Sequence, residues 1–165
     1  MISLKAILVA TDFGEASDAA LVYGRTLART FGATLHVVHV TESVYITTFG
    51  AETYTAMAPE LQRDLDESAR KQLNELLIDS DGSNPPTISA IMTSNNPAAA
   101  IVEYAKDKHV DLIITGTHGR AGVAHMVLGS VAERVVRSAP CPVLTVRHPE
   151  HEFVQPDTLT TVANA

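Results

Sequence analysis

The residues best suited to ligand chemistry lie in a glycine-containing stretch near residue 120. Gly116 and Gly119 stand three positions apart, and nine residues separate Gly119 from Gly129 and Ser130. Glycines let the backbone turn tightly and approach a ligand closely. Backbone amides at a helix start bind anions. The spacing therefore predicts a phosphate cradle that includes the amides of Gly129, Ser130 and Val131, with a flexible loop and a simple helix cap as the alternative.

A second candidate is the pair Thr11 and Asp12, which directly follows the first apolar segment. A carboxylate at this place has the chemistry to orient a ribose, an adenine amine or a hydrated Mg²⁺. Aspartate is also a common cap of the turn into a helix. The residue types alone leave both interpretations open. Arg120 likewise is either a clamp on a terminal phosphate or a solvated loop residue.

Other chemistries lack their usual signals. The sequence has no GxxxxGK(S/T), GxSxG, CxxC or HExxH pattern, so we predict no catalytic residue and no metal ligand. His36 and His39 differ by three positions in a predicted strand and should point to opposite faces of the sheet. The lone cysteine, Cys141, is interpreted as a small buried hydrophobic residue.

Apolar segments that alternate with helical patterns must position these candidates. Strands are predicted at Leu4–Ala10, Thr34–Val40, Thr87–Thr93, Val110–Thr115 and Val143–Val146. Helices are predicted at Ser17–Phe31, from Pro59 to Leu76, from Pro97 to Ala105 and at Gly129–Arg137. The order βαβαβαβαβ predicts an open doubly wound parallel five-stranded α/β sheet with helices on both faces. Ligands of such sheets bind beyond the carboxyl ends of the strands, where strand order reverses.

Each helix should turn an apolar face to the sheet. In the second helix this face comprises Leu61, Leu65, Ala69, Leu73 and Leu76, and in the last helix it comprises Val131, Ala132, Val135 and Val136. Residues 41–58 show no clean period and are interpreted as a long loop. We expect one domain at 1–147 and a polar C-terminal tail at 148–165.

Composition restricts the partners. The chain has 165 residues, of which 45% are hydrophobic, and a formal net charge of −7, which is typical of one globular domain. Negative charge without a run of Lys or Arg argues against nucleic acid and against an anionic membrane surface. No segment has the pattern of a signal peptide or a membrane span, so we expect a cytoplasmic protein.

The motifs together resemble one family. GTHGRAGVAHMVLGS at residues 116–130 matches the GxxG, nine residues, G(S/T) pattern of the ATP-binding branch of the universal stress protein family. ATDF at residues 10–13, VVHV at 37–40 and SAPCPVLTVR at 138–147 resemble its first, second and last strands. The resemblance covers residues 1–147. It departs at Gly14, where serine is frequent, and at Asn95, where a glycine often opens the third helix.

The resemblance implies a Rossmann-like, adenine nucleotide alpha hydrolase-like fold that binds ATP, with or without Mg²⁺. Adenine would lie near Asp12 and the backbone of Val40, and the ribose beside Gly116. Thr11 belongs to the same site. Phosphates would follow a cradle of Gly119, Gly129, Ser130 and Val131. Thr115, His118 and Arg120 would complete the lining.

Three functions follow from these expectations. The first is a nucleotide-dependent regulator or sensor in a stress response, in which ATP orders the loop 116–128 and so changes a surface read by a regulatory protein partner. The second is a slow ATP hydrolase or nucleotidyl-transfer enzyme. The third is a nucleotide-free structural dimer. The apolar edge strand Val143–Val146 and the resemblance both predict a homodimer through this strand.

Overall fold

The computed structural model describes residues 2–44, 58–78, 85–117 and 129–148. In these ranges five strands alternate with four helices. The strands are β1 (Ala6–Ala10), β2 (Thr34–Thr41), β3 (Thr87–Thr93), β4 (Leu112–Gly116) and β5 (Val143–Val146). The helices are α1 (Glu15–Phe31), α2 (Ala58–Leu76), α3 (Pro97–Asp107) and α4 (Ser130–Ser138).

The five strands form one parallel sheet in the order β3-β2-β1-β4-β5. Strand β1 lies in the centre, and its last residue, Ala10, stands opposite Val38 of β2 and Thr115 of β4. The strand order reverses between β1 and β4. The predicted doubly wound α/β fold is therefore confirmed, and the carboxyl ends of β1 and β4 meet at the reversal.

Two apolar cores cover the sheet. On one face, alternate strand residues such as Ile7, Val9 and Leu35 pack with α1 and α2. On the other face, Leu8 and Val38 pack with α3 and α4. Because both faces of the central strands are covered, the strands carry continuous apolar runs instead of alternating with polar residues. This is the pattern from which the sequence predicted them.

Part of the face that α2 turns to the sheet was predicted wrongly. Ala69 and Leu73 are buried as expected, but Leu61 and Leu65 are 51% and 41% exposed. Polar residues take their place. The Thr41 hydroxyl donates to Oδ1 of Asp66 at 2.7 Å, and the Gln62 amide donates to the same oxygen at 3.1 Å.

Hydrogen bonding explains why α2 turns this way. The side-chain oxygen of Gln62 also accepts from the Val44 N–H at 3.0 Å, so the end of β2 bonds to two polar residues one helical turn apart. Gln62, Asp66 and Ala69 lie on one stripe of the helix. Hydrogen bonding of these buried polar groups stabilises the fold more than burial of Leu61 and Leu65 would. The two leucines therefore turn outward.

Helix α4 differs from the prediction at Val136, which is 48% exposed. Ala132 and Val135 are buried and stand three positions apart, so they occupy the same side of the helix. Val136 lies about 100° further round the helix.

No helix within the described ranges combines the length and the apolar character needed to cross a bilayer.

His36 of β2 is buried against α3. Its Nδ1 lies 3.0 Å from the Tyr104 hydroxyl, and the two rings meet edge to face with centroids 5.8 Å apart. Burial lowers the pKa of His36, and the nearby Lys108 lowers it further. The fold therefore favours the neutral imidazole more than the unfolded chain does, in which histidine has an ordinary pKa of about 6.5.

The free energy of unfolding is expected to fall as the pH drops below about 6.5, because the unfolded chain then binds a proton that the fold excludes at His36. His36→Asn keeps a polar atom near the Nδ1 position and removes the titration. Urea unfolding of both chains at pH 7.5 and 5.5 checks this. Wild type should lose more stability than the variant, and equal losses would contradict the assignment.

Candidate functional site

The turn from β1 to α1 is held by its own side chains. The Phe13 N–H donates to Oγ1 of Thr11 at 3.0 Å, and the Gly14 N–H donates to Oδ1 of Asp12 at 3.1 Å. The Ser17 hydroxyl donates to the Gly14 carbonyl at 2.8 Å. It also lies 3.1 Å from the Thr11 hydroxyl. Asp12 therefore does cap this turn, one of the two roles that its position allowed.

Phe13 makes the turn conformationally unusual. Its φ is +62°, in the left-handed region that a bulky residue rarely adopts. Its ring packs against the ring of His39 in β2, with centroids 4.4 Å apart and planes tilted by 34°. Nδ1 of His39 lies 2.8 Å from the Thr11 carbonyl oxygen. A strained residue that neighbouring groups hold in place is typical of functional sites.

Gly116 at the end of β4 lies directly against α1. A Cβ on this residue would come within 2.8 Å of the carbonyl carbon of Ala16 and within 2.9 Å of its Cβ and oxygen. A side chain is excluded here by the first turn of α1. The need for glycine that the sequence predicted is thus observed, but its cause is contact between two backbones within the fold.

Two short hydrogen bonds bring the start of α4 to the same place. The Thr117 N–H donates to the Val146 carbonyl at 2.8 Å, and the Gly129 N–H donates to the Thr117 carbonyl at 2.6 Å. The chain thus returns to the end of β4 as α4 begins. The Gly129 amide, which we expected to face a ligand, is engaged by this bond. Ser130 and Val131 are the first helical residues, and their amides have no acceptor within the helix.

The start of α1 is acidic. The pKa of Asp18 is raised, first because burial disfavours its charge and then because Asp12 and Glu15 repel it. Carboxylates therefore cluster at the start of α1, whereas the start of α4 presents helix-start amides. An anionic group is therefore favoured more at the start of α4 than beside these carboxylates.

The remaining predicted residues differ in their placement. Thr115 is buried, and its hydroxyl donates to the Gly116 carbonyl at 3.3 Å. Val40 lies near the end of β2, two residues beyond the partner of Ala10. His118, Gly119 and Arg120 lie outside the described residues.

Sequence reasoning missed three contributors to this site: Phe13, Ser17 and His39. Ser17 follows the N-cap residue of α1, Gly14, by three positions, a spacing typical of reciprocal helix capping, so it had a local signal. His36 and His39 do point to opposite faces, as predicted. They were weighed only as metal ligands, however. No group of three or more His, Cys, Asp or Glu side chains in the described part of the chain is arranged to hold a metal ion.

Comparison with known proteins identifies the family. The sequence model of the universal stress protein family matches residues 3–147. The chain belongs to the universal stress protein family. It is 35% identical over 149 residues to universal stress protein A homolog 2 of Coxiella burnetii, covering 89% of this chain and 97% of that protein. It is 32% identical over 148 residues to universal stress protein MJ0531 of Methanocaldococcus jannaschii, covering 90% and 85%.

The fold agrees with this membership. The solved structure of universal stress protein UspA from Lactobacillus plantarum superposes with a TM-score of 0.75 at 23% identity, covering 89% of this chain and all of that one. This chain and that one therefore share one fold.

Gly116→Ala is expected to displace the first turn of α1, because the new methyl group overlaps the backbone of Ala16. We expect a loss of about 1–3 kcal/mol in the free energy of unfolding. Backbone amides of the turn at residues 11–17 should also exchange hydrogen faster. Urea unfolding and hydrogen exchange measure the two effects.

Gly24→Ala is the matched control, since its Cβ would lie 2.4 Å from Cγ2 of Val9 in the core below α1. It should lower the free energy of unfolding by a comparable amount. Hydrogen exchange of the amides in the turn at residues 11–17 should then change only as much as global unfolding requires. Equal local exchange in both variants would contradict a specific contact between Gly116 and α1.

Proposed function

We propose that this universal stress protein is an adenine-nucleotide-binding regulator that holds ATP, with or without Mg²⁺, in the crevice between β1 and β4. The observation that carries the proposal is the bond of 2.6 Å from the Gly129 N–H to the Thr117 carbonyl. It brings the start of α4 to the strand reversal, where open α/β sheets bind ligands. The amides of Ser130 and Val131 are the proposed phosphate donors.

The end of β2 supports a base at the other side of the crevice. Odd residues of β2 bond to β3, as the Leu35 N–H does to Pro86 and the Ser94 N–H does to the Thr41 carbonyl. Even residues bond to β1, as the Thr34 N–H does to Lys5. Val40 therefore directs its N–H and C=O toward β1, where one donor and one acceptor match the edge of adenine.

Charge orients the proposed ligand. Phosphates are repelled by the carboxylates of Asp12, Glu15 and Asp18 and attracted by the start of α4. Asp12 would then meet the base or ribose, and the triphosphate would extend toward Ser130. A helix terminus contributes only about 0.3–2 kcal/mol, whereas micromolar affinity requires about 8 kcal/mol. Burial of the adenine must therefore supply much of the binding free energy.

Structural neighbours show what this fold can hold. One universal stress protein structure, at 20% identity and a TM-score of 0.55, is described in complex with cAMP. Another, from Archaeoglobus fulgidus at 19% identity and a TM-score of 0.52, is described in complex with dAMP. At these identities the likeness concerns the fold alone, and it supports an adenine nucleotide as the class of ligand to test first.

A regulatory role fits the site better than rapid turnover. The sequence carries no P-loop lysine, and the carboxylates at the crevice lie on the side away from the proposed phosphates. ATP hydrolysis is therefore expected to be far slower than the usual enzyme range of about 1–1000 per second. The proposed output is a nucleotide-dependent surface that a regulatory protein reads.

ATP affinity of two Ser130 variants tests the cradle. Ser130→Ala removes the hydroxyl and keeps the amide, whereas Ser130→Pro removes both. Proline is favoured at the first helical position, and the preceding Gly129 has φ −65° and ψ 151°, which suits a residue before proline. By calorimetric titration with and without Mg²⁺, we expect about a threefold loss for Ser130→Ala and at least a tenfold loss for Ser130→Pro, both folded.

Release of nucleotide from the purified wild-type protein, followed by mass identification, gives an independent readout. Unchanged ATP affinity in a folded Ser130→Pro chain would refute the cradle. A wild-type protein that binds no adenine nucleotide would favour the structural dimer instead. Rapid phosphate release that survives repurification would favour the enzyme.

Among the described residues no strand pairs with the outer side of β5, and this edge supports the homodimer that we propose as the assembly. The carbonyls of Pro142 and Val146 accept from the Ile113 and Thr117 N–H groups of the β4 side. Alternate residues therefore direct their N–H and C=O groups away from β4. Antiparallel pairing of β5 with its twin about a two-fold axis would satisfy those groups.

Thr145→Pro tests this dimer, because Thr145 has an exposed side chain and its N–H points away from β4. Light scattering at several concentrations should show a dimeric wild type, a dimeric Thr145→Val control and a monomeric proline variant. A wild type that is monomeric at high micromolar concentration would contradict the proposal. Dimerisation only after removal of residues 148–165 would indicate that the tail covers the edge.

A further inference from the structure

The hydrogen-bond ladder between β1 and β2 ends in an irregular way. The Thr11 N–H donates to the Val38 carbonyl at 2.9 Å, which continues the ladder by one bond. In a regular parallel ladder the next bond would run from the Val40 N–H to the Thr11 carbonyl. The Thr11 carbonyl instead lies 2.8 Å from Nδ1 of His39.

The geometry fixes the proton on His39. A carbonyl oxygen only accepts, so Nδ1 carries the hydrogen in this contact. Packing of the Phe13 ring against the imidazole, with centroids 4.4 Å apart, holds the ring in this orientation. Phe13 itself adopts a φ of +62°, so the chain leaves the direction of β1 immediately after the residue that His39 binds.

The consequence falls on Val40. Its N–H points toward β1, because even residues of β2 bond on that side. The carbonyl that would have accepted from it accepts instead from the His39 side chain. Within the part of the chain that the structure describes, the Val40 N–H reaches no acceptor on β1.

We propose that His39 is a positioning residue for the nucleotide site: its Nδ1–H occupies the Thr11 carbonyl and so leaves the Val40 N–H for the base of the ligand. This assignment rests on the proposed function for its ligand. One half of the proposal is structural: the His39 ring and the Val40 amide compete for one carbonyl. This half concerns the protein without ligand. The two halves can therefore be tested separately.

Two substitutions separate the donor of His39 from its ring. His39→Phe keeps an aromatic ring on Phe13 and removes the donor. His39→Asn places an amide nitrogen near the Nδ1 position and removes the ring. In His39→Phe the Thr11 carbonyl becomes free to accept from Val40, and the ladder should extend by one bond.

NMR of the full chain without ligand measures this extension. In wild type and His39→Asn, the Val40 amide should exchange rapidly and show no coupling across a hydrogen bond to the Thr11 carbonyl carbon. In His39→Phe, exchange should slow at least tenfold and the coupling should appear. A merely structural role for His39 would instead accelerate exchange throughout β2.

ATP titration measures the functional half. We expect His39→Phe to bind ATP at least fivefold more weakly than wild type, and His39→Asn to remain within about threefold. Binding of ATP should protect the Val40 amide in wild type. Equal ATP affinity in wild type and a folded His39→Phe chain would overturn the positioning role.

NMR of the ligand-free wild-type protein still tests the proposal if His39→Phe fails to fold. A coupling between the Val40 amide and the Thr11 carbonyl in wild type would overturn the assignment outright. If wild type binds no adenine nucleotide, the proposed function fails. The exchange of Val40 in the three ligand-free chains then still shows whether His39 competes for the carbonyl.

Discussion

Strand β1 is bonded on both sides, to β2 and to β4, and its side chains are buried on both faces of the sheet. A strand in this position cannot leave along the sheet plane, so the chain turns out of it at Thr11. Helix α1, which follows β1 in the chain, and helix α4, which follows β4, pack on opposite faces of the sheet. Their separation opens the crevice, and every element of the proposed site is attached to this one reversal.

The two sides of the crevice carry different polar groups. On the α1 side the groups are carboxylates and a turn held by the hydroxyls of Thr11 and Ser17. On the α4 side they are main-chain amides at a helix start. With a net charge of −7 over the whole chain, attraction of an anion depends on this local arrangement, because the global field opposes it.

The sequence predicted the fold well because burial on both faces of β1 leaves a continuous apolar run, which is a local signal. It predicted α2 less well, since Leu61 and Leu65 form as good a stripe as Gln62 and Asp66. The contacts with Thr41 and Val44 decide between the two stripes. His39 was missed for a related reason. Its partner, Thr11, is distant in sequence, and their meeting depends on the register of β1 and β2.

The contact between Gly116 and Ala16 also bears on how ligand preference could be redesigned. The backbone and the Cβ of Ala16 lie directly against Gly116 in this part of the crevice wall, and no amino acid larger than glycine fits there without moving α1. Libraries that vary this position would return unstable proteins instead of altered selectivity. Diversity is better placed at Val40, where a half-buried side chain already exists and its size can change without forcing two backbones apart.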